Sequence, residues 1–241
     1  MPNMVEEFRE RDSSPEITLV IGGGQSGLKW ARQNHRFEER TICVDQQELA
    51  SFDSCFLQGD VLKLFLAVKK GSVKKIYADF LFNATGREVG KEKLTVREVL
   101  ADPQLLLSEA FPPNVRDWFL HSAGGVINTE RGDWLKVNEL MKQSALQQMW
   151  NVLKVGGEII VLDRRYIIDW LVSGPVEILH VNSWEVKITR LKIDSEDWKR
   201  SHSLNKIVTE WGQPISCLGK IHLQKIDDYP VLFPPWYRDA D

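Results

Sequence analysis

The stretch LVIGGGQSGLKWA, Leu19 to Ala31, sets an apolar run against three consecutive glycines and places a fourth at Gly27. With the preceding EIT it reads as a short buried strand, rich in β-branched residues and ended by glycine. Leu28 and Ala31 then fall near helical spacing, so the order is strand, turn, helix. Gly22-x-Gly24-x-x-Gly27 meets the GxGxxG pattern, a weak signal alone but one that here follows a strand and opens a helix, as the motif requires. Glycines without Cβ let a ligand approach the backbone. The helix start offers free N–H groups to a carboxylate or phosphate.

Working outward, RTICVD predicts a second strand ending at Asp45, and SCFLQGD a third ending at Gly59 and Asp60. VLKLFLAVKKGSVKK is an apolar segment that turns basic at Gly71, and IYADFLFNATG reads as a fourth strand with Asn83 and Ala84 at its tip. From Leu135 onward, Leu140, Met141, Ala145, Leu146, Met149 and Leu153 recur at three- and four-residue steps, which predicts an amphipathic helix halted by Gly156 and Gly157. EIIVLD is the fifth strand. A helix over YIIDWLV, a β-rich stretch, a helix over SEDWKRSHSLNKIVTEWG and a last strand in CLGKIHLQKI complete the reading. Strands with acids or glycines at their C-terminal ends predict a parallel sheet wrapped by helices. Residues 1–15 read as a flexible lead, 16–241 as a single domain, and about 87–134 as a helical insertion within it.

In an open α/β sheet, ligands lie outside the carboxyl ends of the strands. That singles out Gly22, Gly23 and Gly24, Asp45 with Gln46, Gly59, Asp60 and Val61, and Asn83 with Ala84. A carboxylate ending the second strand suits a ribose diol, and an acid after the third suits an adenine amino group. Together they describe a nucleoside-bearing cofactor, and two identities stay open. VIGGGQSGL resembles the opening of flavin-dependent oxidoreductases, and YADFLFNATG their second glycine motif, which implies FAD or NAD(P). Only 56 residues separate Gly27 from Ala84, however, and 155 follow Gly86, which is short for that architecture.

The chain from about Glu16 to Trp170 is similar to class I S-adenosylmethionine-dependent methyltransferases. The family's glycine turn, acid, Gly-Asp, polar strand tip and Leu-Lys-x-Gly-Gly before the fifth strand fall at Gly22 to Gly24, Asp45, Gly59-Asp60, Asn83 and VLKVGGEIIVLD, Val152 to Asp163. The resemblance implies a Rossmann-like three-layer sandwich, α/β, with a mostly parallel seven-stranded sheet, an antiparallel C-terminal strand and a helical insertion. It also implies S-adenosyl-L-methionine as cofactor and transfer of its methyl by in-line displacement. The chain departs from the family at Val20, where an acid is common, and at Ser26, where a third glycine falls. A non-catalytic relative is therefore a third reading. Asn83-Ala84-Thr85-Gly86 is not the Asn-Pro-Pro-aromatic tip of many nucleic-acid amino-group methyltransferases, so the acceptor is expected to be a small molecule.

Composition bounds the rest. Hydrophobic residues at 43% and charged residues at 27% are ordinary globular usage, which argues against disorder. No apolar run reaches the roughly 20 residues of a spanning helix, so no membrane partner is expected. A formal charge of −3 argues against a dedicated nucleic-acid binder. The polar N-terminus does not read as a secretory signal, so the expected location is cytoplasmic. Cys43 and Cys55 sit in apolar runs as small buried hydrophobes, and with Cys217 they form no CxxC pair, so neither a disulfide nor a metal site is expected. Catalytic residues are not assigned. His121, beside Gly124 and Gly125, is the histidine placed nearest a substrate loop, and Arg164, Arg165 and Tyr166 follow the fifth strand.

Overall fold

The computed structural model describes residues 15–51, 53–84, 96–109, 111–128, 130–173, 184–187 and 192–227. The chain runs β1 (Glu16–Ile21), α1 (Gly24–Asn34), β2 (Glu39–Asp45), β3 (Phe56–Gln58), a 3-10 turn at Val61–Leu66, and β4 (Val73–Asp79). Short helices α2 (Leu81–Ala84), α3 (Val96–Ala101) and α4 (Pro113–Asp117) lead to the long α5 (Asp133–Val152). Then come β5 (Leu153–Arg164), α6 (Arg165–Ser173), β6 (Trp184–Lys187), α7 (Ser195–Arg200), α8 (His202–Asn205) and β7 (Leu218–Lys225). The sheet is seven-stranded in the order β3-β2-β1-β4-β5-β7-β6. Strands β1 to β5 pair in parallel, and β7 lies antiparallel to both β5 and β6. This is the Rossmann-like α/β fold expected from the sequence, antiparallel C-terminal strand included.

Period-two alternation decides what each face buries. Leu19, Ile21, Val44, Ile76, Ala78, Ile159 and Val161 point into the larger core, where α5 contributes Val137, Leu140, Met141, Ala145 and Met149. On the opposite face, Cys43 packs with Leu28 and Ala31 of α1 and with Cys55, as expected for small buried thiols. Phe80 and Leu162 meet Leu204 and Ile207 there, so α8 and the turn after it cover β4 and β5.

Three expectations are corrected. The fourth strand ends at Asp79, so Asn83 and Ala84 lie in α2 and not at a strand tip. The cause is Phe80, which takes φ 56°, a left-handed conformation unusual for a bulky residue, and swings the chain off the sheet. Phe80 and Phe82, which a continued strand would place on one face, bury on opposite sides because a helical turn intervenes. Secondly, Gly156 and Gly157 do not end α5, which stops at Val152; they lie inside β5, where the register slips between the pairs Val73 with Leu153 and Lys75 with Glu158. A Cβ on Gly157 would stand 2.9 Å from the carbonyl oxygens of both Lys154 and Lys74, so only glycine fits this bulge. Thirdly, Leu135 is exposed near the start of α5 and does not join its apolar face. Of the insertion, residues 87–95, 110 and 129 lie outside the described residues, as do Thr85 and Gly86 of the motif read just before it.

Candidate functional site

The C-terminal ends of β1, β2, β3 and β4 meet around the glycine turn. Gly22 and Gly24 have φ of 78° and 54°, backbone that side chains rarely adopt. Their surroundings differ. A Cβ on Gly22 would lie 2.8 Å from the carbonyl oxygen of Asp79, and one on Gly23 would lie 2.9 Å from Val20 Cγ1 and 3.3 Å from the carbonyl oxygen of Arg200. Protein therefore fills the space beside both. At Gly24 the one neighbouring atom within 4 Å is His202 Cβ, at 3.6 Å. Gly27 sits close behind, where a Cβ would meet Val20 Cγ1 at 3.2 Å and Cys43 Sγ at 3.4 Å, so it is a close-packing residue of α1 against the sheet.

Asp45, at the end of β2, is partly buried. Burial pushes its carboxyl above the usual carboxylate range, while the backbone N–H groups of Gln47, Gly24 and Gln46 donate to it and pull the other way. The Gln47 bond is 3.0 Å. The Gly24 bond ties the acid on β2 directly to the turn on β1. Gly59 N–H donates to the Asp45 carbonyl at 2.9 Å, and a Cβ on Gly59 would touch Leu57 Cγ and Val44 Cγ1 at 4.0 Å, so a side chain there would meet no clash. Gln46 is exposed, and its carbonyl accepts from Gln58 Nε2 at 3.2 Å.

Asp60 and Val61 have structural work. One Asp60 oxygen accepts from Leu62 N–H at 2.9 Å and caps the 3-10 turn. The Val61 side chain is buried in the larger core. Thus Gly24, Asp45, Gln46 and Gly59 come together, Asp60 stands next to them as a cap, and Asn83 and Ala84 belong to α2.

The sequence reading missed a set that the fold brings in from the C-terminal third. Arg200, at the end of α7, places Nε 2.8 Å from Asp79 Oδ2 and Nη2 3.0 Å from Asp79 Oδ1, a bidentate pair in which both side chains are buried. Its Nη2 also donates to Asp197 Oδ1 at 2.8 Å, and its guanidinium lies 4.0 Å from the Tyr77 ring centroid. Burial opposes the Arg200 charge, but the carboxylates of Asp79 and Asp197 outweigh it and hold the proton on. Lys220 Nζ reaches Asp197 Oδ2 at 2.8 Å, and Asp194 caps α7 through the N–H groups of Glu196 and Asp197. On α1, Trp30 Nε1 donates to Glu196 at 2.9 Å. Just past Arg200, His202 N–H donates to the Gly23 carbonyl at 3.5 Å. No residue spacing could have announced contacts spanning 121 positions.

A groove of about 450 Å³ lies between the N-terminal half of α5 and α6, the helix that leaves the C-terminal end of β5. Leu135, Lys136, Glu139, Lys142 and Trp170 line it, and Lys142 Nζ stands 5.3 Å from the Trp170 ring centroid. His121 is exposed in the π-helical turn after α4. Among the described residues, no group of three His, Cys, Asp or Glu side chains is arranged to hold a metal ion, and no helix is long and apolar enough to cross a membrane.

No protein-family model matches the sequence, and no curated protein sequence does. Among solved structures the chain is similar to a 16S rRNA adenine methyltransferase from Catenulisporales acidiphilia, at 12% identity and TM-score 0.46 over 90% of this chain and 88% of that one. It is similar to a SAM-dependent methyltransferase from Archaeoglobus fulgidus at 10% identity and TM-score 0.39, over 88% and 87% of the two chains. An rRNA methylase from Streptococcus thermophilus gives 10% identity and TM-score 0.42, over 88% of each.

Proposed function

We propose that this chain is an S-adenosylmethionine-dependent methyltransferase acting on a small molecule, with the cofactor at the glycine turn and the acceptor entering from the groove between α5 and α6. The observation that carries the reading is the junction of Gly24, Asp45 and Gly59. A carboxylate at the end of β2 is fixed by backbone N–H groups beside a left-handed glycine turn, and Gly59, bonded to the carbonyl of the same residue, adds no side chain next to it. Such a carboxylate suits a ribose diol. The start of α1, where Gly23 provides no side-chain cap, suits an acidic group on the same ligand. An aminoacyl-nucleoside has both. The cofactor, when bound, supplies an electrophilic methyl on a sulfonium.

The chain's own contribution is alignment. Asp45 orients the nucleoside, and the turn, locked from behind by Asp79 and Arg200, holds the far end of the ligand in one place. Transfer of this kind depends chiefly on bringing nucleophile and methyl into line. Trp170 and Lys142 give the groove an apolar wall and a cation, which suit a planar, acidic acceptor, while the formal charge of −3 is what argues against a nucleic acid.

Calorimetric titration with S-adenosylhomocysteine tests the reading. The wild type should bind saturably, and Asp45→Ala should weaken binding by about tenfold or more, the loss expected of a hydrogen bond to a charged group. Thermal shift with NAD, NADP and FAD in parallel distinguishes the dinucleotide reading. If those ligands stabilise the protein and S-adenosyl compounds do not, the proposal fails. If no ligand of either class binds, the chain is a non-catalytic relative.

A further inference from the structure

The segment from Asp194 to Asn205, inserted between β6 and β7, packs against the glycine turn and α1 as well as against β7 of its own hairpin. It is held there by the buried Arg200 with Asp79, by Trp30 with Glu196, and by Lys220 with Asp194 and Asp197. The Arg200 carbonyl covers Gly23, and the next turn begins at Ser201, whose hydroxyl accepts from Leu204 N–H at 3.1 Å. The residue this places at the turn is His202. Its N–H reaches the Gly23 carbonyl, its Cβ faces Gly24, and the residue is exposed to solvent.

Charge explains what such a residue is needed for. Asp45 accepts the Gly24 N–H and puts a negative charge on one side of the turn. The first turn of α1 contains no acidic residue, and Gly23 gives its N–H groups no side-chain cap. A ligand carboxylate drawn to those groups meets repulsion from Asp45 unless a donor lies on its other side. Arg200 is spent on Asp79 and Asp197. Lys220 is spent on Asp194 and Asp197. The residue whose Cβ stands beside Gly24, the glycine of the turn whose side is not closed by backbone, is His202.

We infer that His202 is a ligand-binding residue of the glycine-turn site, donating a ring N–H to the carboxylate of the aminoacyl cofactor. Arg200 is the positioning residue that holds His202 there. The inference rests on the cofactor reading above and goes further in assigning to the C-terminal segment a part in recognising the aminoacyl end.

The test compares two probes on the wild type, His202→Ala and His202→Asn. S-adenosylhomocysteine has the carboxylate; its decarboxylated analogue keeps the sulfur, amine and nucleoside but lacks it. His202→Ala should raise the Kd for S-adenosylhomocysteine about tenfold, as expected for a hydrogen bond between charged or polarised partners, and leave the Kd for the analogue within twofold. His202→Asn, which keeps an N–H donor on a shorter arm, should fall between. An equal loss for both probes would mean that His202 only shapes the turn, and no loss for either would mean that it stays clear of the ligand; each overturns the inference while leaving the cofactor reading standing. A wild type that binds neither probe overturns both.

Discussion

Arg200 and Asp79, 121 residues apart in sequence, form a bidentate ion pair buried beneath the glycine turn, and the turn is built on both of them. The Asp79 carbonyl packs beside Gly22, and the Arg200 carbonyl packs beside Gly23. Arg200→Met leaves Asp79 as a buried carboxylate without its partner, a change that costs about 3–5 kcal/mol. Removing both charges together is a milder change. The double variant Asp79→Leu with Arg200→Met should recover most of the loss, because Asp197 keeps Lys220. Urea denaturation of the two singles and the double checks this; equal loss in all three would mean that packing over Tyr77, not charge, makes the contribution.

The central strands and their parallel pairing were legible from the sequence, and for physical reasons. Runs such as ITLVI and IIVLD bury both faces, so their composition alone marks them as central parallel strands. Asp45 was legible because it ends such a run. The end of β4 was not, since YADFLF continues the alternation past Asp79 and the break is made by the backbone of Phe80. Gly156 and Gly157 mislead in the same way: a glycine pair after a helical pattern signals a cap, while here it makes a bulge one turn later. Arg200 and His202 were beyond reach, because their partners come from β4 and the glycine turn across the fold. A local reading sees SEDWKRSHSLNK as a single helix. The tertiary contacts break it at Ser201, where the chain changes direction to set His202 on the turn.

A second packing test comes from Gly219 on β7. A Cβ there would lie 2.5 Å from Ile168 Cγ1 and 2.9 Å from Ile168 Cβ, so α6 approaches the sheet as closely as it does because position 219 has no side chain. Gly219→Ala should therefore destabilise the protein by about 1–3 kcal/mol through overpacking. Ile168→Ala alone costs about 2–5 kcal/mol as a buried truncation. Combined, the two should cost at least 1 kcal/mol less than their sum, since the smaller side chain makes room for the new methyl, a coupling expected of residues in contact. Additive losses in a urea-denaturation double-mutant cycle would show that α6 moves away to accommodate the alanine.

His222 on β7 gives the protein a pH dependence with a definite sign. Burial lowers its pKa from the ordinary 6.5, and the charges of Lys220 and Lys75 lower it further, while Glu158 and Asp197 pull it upward without prevailing. The unfolded chain has none of these neighbours and takes up the proton first as the pH falls. Stability contributed by the neutral imidazole is thus complete above about pH 6.5 and is lost as the pH falls from there through the lower native pKa. Urea midpoints measured between pH 8 and pH 5 should decline across that window, and His222→Gln, which cannot take the proton, should flatten the decline. A variant that declines as steeply as the wild type would place the titrating group elsewhere, and a wild type that grows more stable on acidification would reverse the sign. The partner charges sharpen the test: Lys220→Met removes a cation beside the ring and frees Asp197 from one of its two cations, and both changes should raise the native pKa and narrow the window.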